Sequence, residues 1–295
     1  MRQRTDCRLG VVALLLVACA GAACSPAITA EPDARPWAAP DAEVLPVDAQ
    51  QFVDASPVPD AGPPVVFAVV YAHSRDTLYR VNPDTLAVTV IGPFNSGGAS
   101  LGDFITDIAV DRDGSMIAIS FTEVYRVDPM TVATTRIASL DRVFNGLSFV
   151  PASAIDPTGE EILIATAEEG TLYQIDKLTG AATAIGAYGG GLGSSGDVVS
   201  VAMFGTVATV TRPGFANDWL ARIDVTTGAA TPIGDTGVTN IFGLGYWKGR
   251  VYGFTSGQQF VLIDPATGVA SVVPAGGALP SWWGAGVTTI APIIE

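Results

Sequence analysis

The residues able to do chemistry in this chain are few, and their types exclude more than they suggest. There is one histidine, His73, and the three cysteines, Cys7, Cys19 and Cys24, all fall within the first 24 residues. A Ser-His-Asp relay would have to use His73, and no Gly-x-Ser-x-Gly turn is present to offer a nucleophile. Beyond residue 24 a thiolate site, a disulfide or a histidine-rich metal site cannot be built. What remains is the chemistry of oxygen ligands and aromatic faces. Carboxylates and amides converging on one point could hold a hard cation or a polar ligand, and exposed tryptophans could stack on a sugar ring. The residues placed to do so are Asp103, Asp107, Asn145, Asp197, Asn240, Trp282 and Trp283, with Arg142 beside them and Glu123, Glu168 and Trp219 on neighbouring turns. Asp107 and Asp197 are the pair from which a Ca2+ site would be made. For Trp282 and Trp283, capping a hydrophobic core is the competing role.

Other acidic groups read as turn formers. Asp111-Arg112-Asp113-Gly114 lacks the third acidic position and the distal Glu of an EF-hand, and Asp-Gly is ordinary hairpin chemistry. His73 follows a strand next to Ser74-Arg75-Asp76 and reads as a solvated loop residue.

These residues have to be positioned by a repeating scaffold. One phrase occurs five times: Leu78-Tyr79-x-Val81-Asn82-x-x-Thr85, then Val124 to Thr131, Leu172 to Gly180, Leu220 to Gly228 and Phe260 to Gly268. Its anchors Asn82, Asp128, Asp176, Asp224 and Asp264 are 46, 48, 48 and 40 residues apart. A hydroxyl follows each anchor by seven residues (Thr89, Thr135, Thr183, Thr231, Ser271), and an aliphatic by nine. A period of about 40–50 residues built of short strands marks the blades of a β-propeller. The phrase supplies the third strand of a blade, a tight turn and the fourth strand. Gly180, Gly228 and Gly268 suit a positive φ in that turn, whereas Leu86 and Val132 in the first two copies predict a different geometry there.

The strand count predicts closure. The stretch from Val65 to Ile91 holds three strands, complete quartets follow near 104–138, 145–185, 198–233 and 241–273, and one strand is left over at Gly284 to Ile290. The expected fold is all-β: a propeller of five four-stranded blades, with the C-terminal strand completing blade 1 and removing an open edge. Six blades would follow if the segments 151–160 or 188–197 held further strands. Aligning Asp107-Ile108-Ala109, Gly146-Leu147-Ser148, Ser200-Val201-Ala202, Gly243-Leu244-Gly245 and Gly284-Ala285-Gly286 as innermost strands gives small residues at the axis, with Asp107 the exception. In propellers the loops leading into the innermost strands share one face with the turns between second and third strands. The ligand candidates above lie on those loops.

The first 64 residues read differently. Residues 1–24 combine Arg2, Arg4 and Arg8 with the short apolar run Leu9 to Val17, the pattern of an export signal. Residues 25–64 are dense in Pro, Ala and Asp without apolar periodicity, as in a disordered, semi-extended tether. At about 3 Å per residue it could reach ~100 Å. The propeller then spans 65–295, where 21 Asp and Glu face 11 Lys and Arg with no basic cluster. Such a surface repels nucleic acid and anionic lipid headgroups, which leaves neither as a partner.

Two resemblances add to this. Leu16-Val17-Ala18-Cys19 resembles the lipobox of bacterial lipoproteins, which implies lipidation at Cys19; Gly21-Ala22-Ala23-Cys24 is a weaker alternative with Cys24 as the acceptor. Neither Ala20 nor Ser25 is the Asp that favours inner-membrane retention in enteric lipoproteins, so the resemblance implies an exported protein anchored in the outer membrane, on its periplasmic or surface face. The blades resemble bacterial propellers with repeats of Leu-Tyr-x-Ile-Asp-x-x-Thr-Gly-x-x-Thr-x-Ile-Gly, a group without a defined activity. Two functions are compatible with the sequence. One is a cell-envelope binding or scaffold module that recognises a protein or glycan through the propeller face, with no cofactor and with the lipid as its sole membrane contact. The other is a calcium-assisted hydrolase or lactonase using Asp107 and Asp197.

Overall fold

The computed structural model describes residues 69–155, 159–274 and 277–294. The predicted export signal, Cys19, Cys24, the predicted tether and the first residues of the predicted blade 1 lie outside the described residues. Runs rich in Val, Ile, Thr and aromatic residues, broken by Gly, Asp and Pro, pair as short antiparallel strands. Blade 1 takes β1 (Val70–His73), β2 (Thr77–Val81) and β3 (Val88–Pro93). A ribbon of β4 (Asn95–Ser96) and β5 (Ala99–Ser100) follows it. Blade 2 is β6 (Asp107–Val110), β7 (Met116–Ile119), β8 (Glu123–Val127) and β9 (Thr134–Ser139). Blade 3 opens with β10 (Gly146–Val150), passes a single helical turn α1 (Ala152–Ile155), and adds β11 (Ile162–Thr166), β12 (Thr171–Ile175) and β13 (Ala182–Ala187). Blade 4 comprises β14 (Gly193–Val201), β15 (Gly205–Thr211), β16 (Trp219–Ile223) and β17 (Ala230–Asp235). Blade 5 comprises β18 (Ile241–Trp247), β19 (Arg250–Thr255), β20 (Phe260–Ile263) and β21 (Ala270–Val272), and the chain ends with β22 (Gly284–Val287).

Five four-stranded sheets result, and β22 is the innermost strand of blade 1, in the order β22-β1-β2-β3. His73 pairs with Gly284, Ala72 with Ala285, Tyr71 with Gly286 and Val70 with Val287. The ring therefore closes by the C-terminal latch that the strand count predicts. The sixth-blade alternative falls away. Residues 193–197 belong to a long, bulged β14, and α1 occupies part of the other segment.

Each seam between blades has its own apolar filling. Leu78, Phe94, Ile108 and Tyr125 lie between blades 1 and 2, and Ile119, Leu147, Leu163 and Tyr173 between blades 2 and 3. Val150, Leu172, Val198 and Val210 fill the next seam. Leu220, Leu244, Phe254, Val70 and Trp282 continue through blade 5 to the latch.

The turn after each anchor is the same in all five blades, contrary to the expectation for the first two. Leu86 and Val132 adopt φ of 60° and 58°, beside 73°, 77° and 78° at Gly180, Gly228 and Gly268. Each donates its backbone N–H four residues back, to the carbonyl of Asn82, Asp128, Asp176, Asp224 or Asp264 respectively. That hydrogen bond, together with the anchor side chain accepting from the N–H two residues on, imposes the left-handed conformation whatever the side chain. Asp111 is likewise a turn former, accepting from the N–H groups of Asp113 and Ser115 at 2.9 and 2.8 Å.

A second difference concerns the innermost strand of blade 4. The Asp197 N–H donates to the Thr209 hydroxyl, and Val198 pairs with Ala208. Asp197-Val198-Val199 therefore stands where the sequence alignment put Ser200-Val201-Ala202. The bulge between Ser194 and Val198 lengthens β14 and hides this offset in the sequence.

Candidate functional site

At the axis the five innermost strands present Gly284, Asp107, Gly146, Asp197 and Gly243 at the same level. The inward edges of these strands have no further strand to pair with, so their N–H groups need other acceptors. The two aspartates supply them. Asp107 accepts from its neighbour Ile108 at 2.8 Å and from Leu147 in the next blade at 2.5 Å. Asp197 repeats the arrangement two blades further on, from blade 4 to blade 5, with Val198 at 2.6 Å and Leu244 at 2.5 Å. The glycines between them are required by space. A Cβ on Gly243 would lie 2.6 Å from the backbone of Gly284, and one on Gly146 would lie 2.5 Å from the Thr166 hydroxyl.

Both carboxyl groups are wholly buried and within hydrogen-bonding reach of each other. Burial, then the charge of Asp197, pushes Asp107 well above the usual carboxylate range, and burial raises Asp197 as well. Two acids this close retain a proton between them. The pair that the sequence offered as a Ca2+ site is thus brought together, but below the surface and with its oxygens engaged by backbone N–H groups.

His73 is not a solvated loop residue; it ends β1 and is completely buried. It occupies the place held by Ile119, Thr166, Thr209 and Phe254 in the other blades. Its Nδ1 lies 2.8 Å from the Ser74 carbonyl, and Nε2 lies 3.9 Å from Asp107 without a hydrogen bond. Burial holds the imidazole down to about 4, so the ring is neutral and Nδ1 carries the proton it donates.

The remaining candidates separate. Trp282 is not a stacking platform: it is fully buried, edge-on to Tyr79 and Phe254 at 5.1 and 5.3 Å, and caps the core where the ring closes. Asp103 is half-buried and accepts from the Tyr125 hydroxyl at 2.8 Å. Asn240 is exposed, with φ of 57°, on the loop into β18. Trp219 lies beside Phe215 with Arg212 over its ring, and Glu123 is ion-paired with Arg136 at 2.6 Å. Arg142 hydrogen-bonds to the Tyr173 hydroxyl and lies over that ring.

Asn145, Glu168 and Trp283 do meet. They line a cavity of about 460 Å³ at the mouth of the ring, together with Thr106, Phe121, Val143, Phe144, Glu169 and Phe242. Four blades contribute: Trp283 leads into β22, Thr106 into β6, Val143 to Asn145 into β10 and Phe242 lies in β18, while Phe121, Glu168 and Glu169 come from turns between second and third strands. Trp283 is fixed by its backbone N–H donating to the His73 carbonyl at 2.9 Å and by edge contacts of its ring with Phe104 and Phe121, each at 6.3 Å. Phe104, Phe121 and Val143 leave 43%, 45% and 55% of their surfaces exposed around this mouth. These apolar rim residues went unnoticed in the sequence. Their signal was available, since bulky apolar side chains recur on loops of one face, where turn chemistry favours small polar ones.

The opposite face is crossed by the C-terminal segment. Thr288 bridges to Val110, the Thr289 hydroxyl donates to Glu161 at 2.5 Å, Ala202 donates to the Thr289 carbonyl at 2.7 Å, and Lys248 donates to Pro292 at 2.8 Å.

No protein-family model matches the chain, and no curated protein matches it. Solved structures do. A chain of a nidogen/laminin complex is 10% identical, with a TM-score of 0.49 over 75% of this chain and 97% of that one. A protein of unknown function from Bacteroides caccae is also 10% identical, with a TM-score of 0.41 over 73% of this chain and 77% of that one. At these identities the likeness is one of fold.

Proposed function

We propose that the chain is a non-enzymatic recognition module of the bacterial cell envelope, anchored by lipid at Cys19 and taking a protein or glycan on the mouth face of its propeller. The mouth cavity carries this reading. It joins residues of four blades around an aromatic wall, its size is that of a ligand site, and exposed apolar groups surround it. The lipobox resemblance and the Pro-rich stretch 25–64 supply the anchor and the reach. The oxygens of Asp107 and Asp197 serve the backbone of the inner ring, a structural use of the two residues on which a hydrolase would depend.

Val143→Lys tests the proposal, because Val143 is exposed and a charge there alters the mouth without disturbing the core. Envelope extracts passed over the native chain and over this variant are expected to yield a partner retained by the native chain alone. A partner held equally by both, or turnover of an ester or lactone by the native chain, refutes the reading.

A further inference from the structure

We propose that the mouth cavity is shaped for a positively charged side chain, a lysine ammonium or an arginine guanidinium presented by a protein partner. The inference rests on the recognition role above and names the chemistry recognised there.

The charged residues lining the cavity are Glu168 and Glu169, both exposed, and among the described residues neither takes part in an ion pair. The uncharged polar lining is already engaged within the protein. The Thr106 hydroxyl donates to Ile119, and Asn145 donates to the Ser194 carbonyl while accepting from the Thr166 hydroxyl. One oxygen of Glu169 accepts from the Tyr173 hydroxyl at 3.4 Å. The side-chain groups left to a ligand are therefore the Glu168 carboxylate, the other oxygen of Glu169, the indole of Trp283 and aromatic faces. A sugar ring asks for interleaved donors and acceptors. A cation asks for acceptors and ring faces, and the cavity offers both.

The same surface shows this chemistry within the chain. The Arg75 guanidinium carbon lies 4.4 Å from the Phe104 ring centre, and that of Arg142 lies 4.5 Å from Tyr173. These two cations sit outside the cavity lining, Arg142 with Asp141 at 3.5 Å, and leave Glu168, Phe121 and Trp283 free for an incoming group. A net charge of −10 over residues 65–295 draws a basic segment toward the mouth from a distance. The apolar rim of Phe104, Phe121 and Val143 gives the surface next to the inserted side chain something to cover, which favours a protein partner over a free amine.

The test titrates the full chain with capped Gly-Gly-Lys-Gly-Gly and Gly-Gly-Arg-Gly-Gly, with the norleucine peptide as the same stem without charge, and with N-acetylglucosamine. Calorimetry gives affinity, and the indole N–H resonance of Trp283, assigned by its loss in Trp283→Phe, reports the place. The charged peptides are expected to bind at least about fivefold tighter than norleucine and to move the Trp283 resonance. The double substitution Glu168→Gln, Glu169→Gln is expected to abolish that preference without changing the melting temperature. Equal binding of lysine and norleucine overturns the inference, as does a shift of Trp283 by the sugar alone, which would leave the recognition role intact. A Trp283 resonance unmoved by every probe also overturns it, and the Val143→Lys comparison then decides separately whether the mouth is a recognition face.

Discussion

At the scale of single residues, the axis is governed by two aspartates whose work is to accept backbone hydrogen bonds. Asp107→Ala would leave the N–H groups of Ile108 and Leu147 buried without partners, and a loss of about 3 kcal/mol is expected in denaturant unfolding. Asp107→Asn keeps one acceptor but turns its amide NH2 toward the other backbone N–H, so it should cost less than Asp107→Ala, about 1–2 kcal/mol. The two acids and the histidine also set opposing pH dependences. The folded values of Asp107 and Asp197 are raised, so their contribution is complete below the ordinary carboxylate range and is lost as pH rises through the raised values. His73 is depressed to about 4, so its contribution is complete above 6.5 and is lost as pH falls toward about 4. Unfolding midpoints measured from pH 4 to 7 should therefore show Asp107→Asn gaining on the native protein as pH rises, and no such convergence sinks the shared-proton account. Asp107 was visible in the sequence as an exception among small residues. His73 was misplaced because nothing local distinguishes the last residue of a strand from the first of its turn.

At the scale of elements, the repeated turn holds the blades apart at a set distance. Gly228 lies against Gly186 in the outer strand of the preceding blade, where a Cβ would come within 2.5 Å of backbone, and Gly268 meets Gly234 in the same way. Gly228→Ala combines that clash with a left-handed φ and should destabilise by about 2–4 kcal/mol in thermal or urea unfolding. A smaller effect than Gly249→Ala, where φ is 79° and the space is open, would contradict this seam geometry. In the seam between blades 1 and 2 the contact is looser: the Val132 side chain itself fills it, 3.6 Å from where a Gly92 Cβ would be. The blades were legible because their phrase is local and repeats. The common turn was not, because side-chain preference argued for a difference that the carbonyl hydrogen bond overrides, and the β14 bulge shifted one strand by three residues without leaving a mark in composition.

At the scale of the whole molecule, the latch joins residues that are far apart in the chain. Removing everything after Pro280 would strip β1 of its inner partner and take Trp282 from between Tyr79 and Phe254. It would also withdraw the segment that crosses from Val110 to Lys248. A loss of several kcal/mol, comparable with the stability of a typical domain, is expected, and melting within a couple of degrees of the native chain would contradict it. The closure was readable as arithmetic on strands, whereas the mouth cavity was not, since it is assembled from loops of four blades with no shared spacing in the sequence. A further consequence concerns time rather than energy. The ribosome makes β1 more than two hundred residues before the strand that completes its sheet, so the ring cannot shut until β22 has been made. Through that interval the inner edge of β1 has no strand to pair with, and the docking of Gly284 to Val287 is the event that ends the wait.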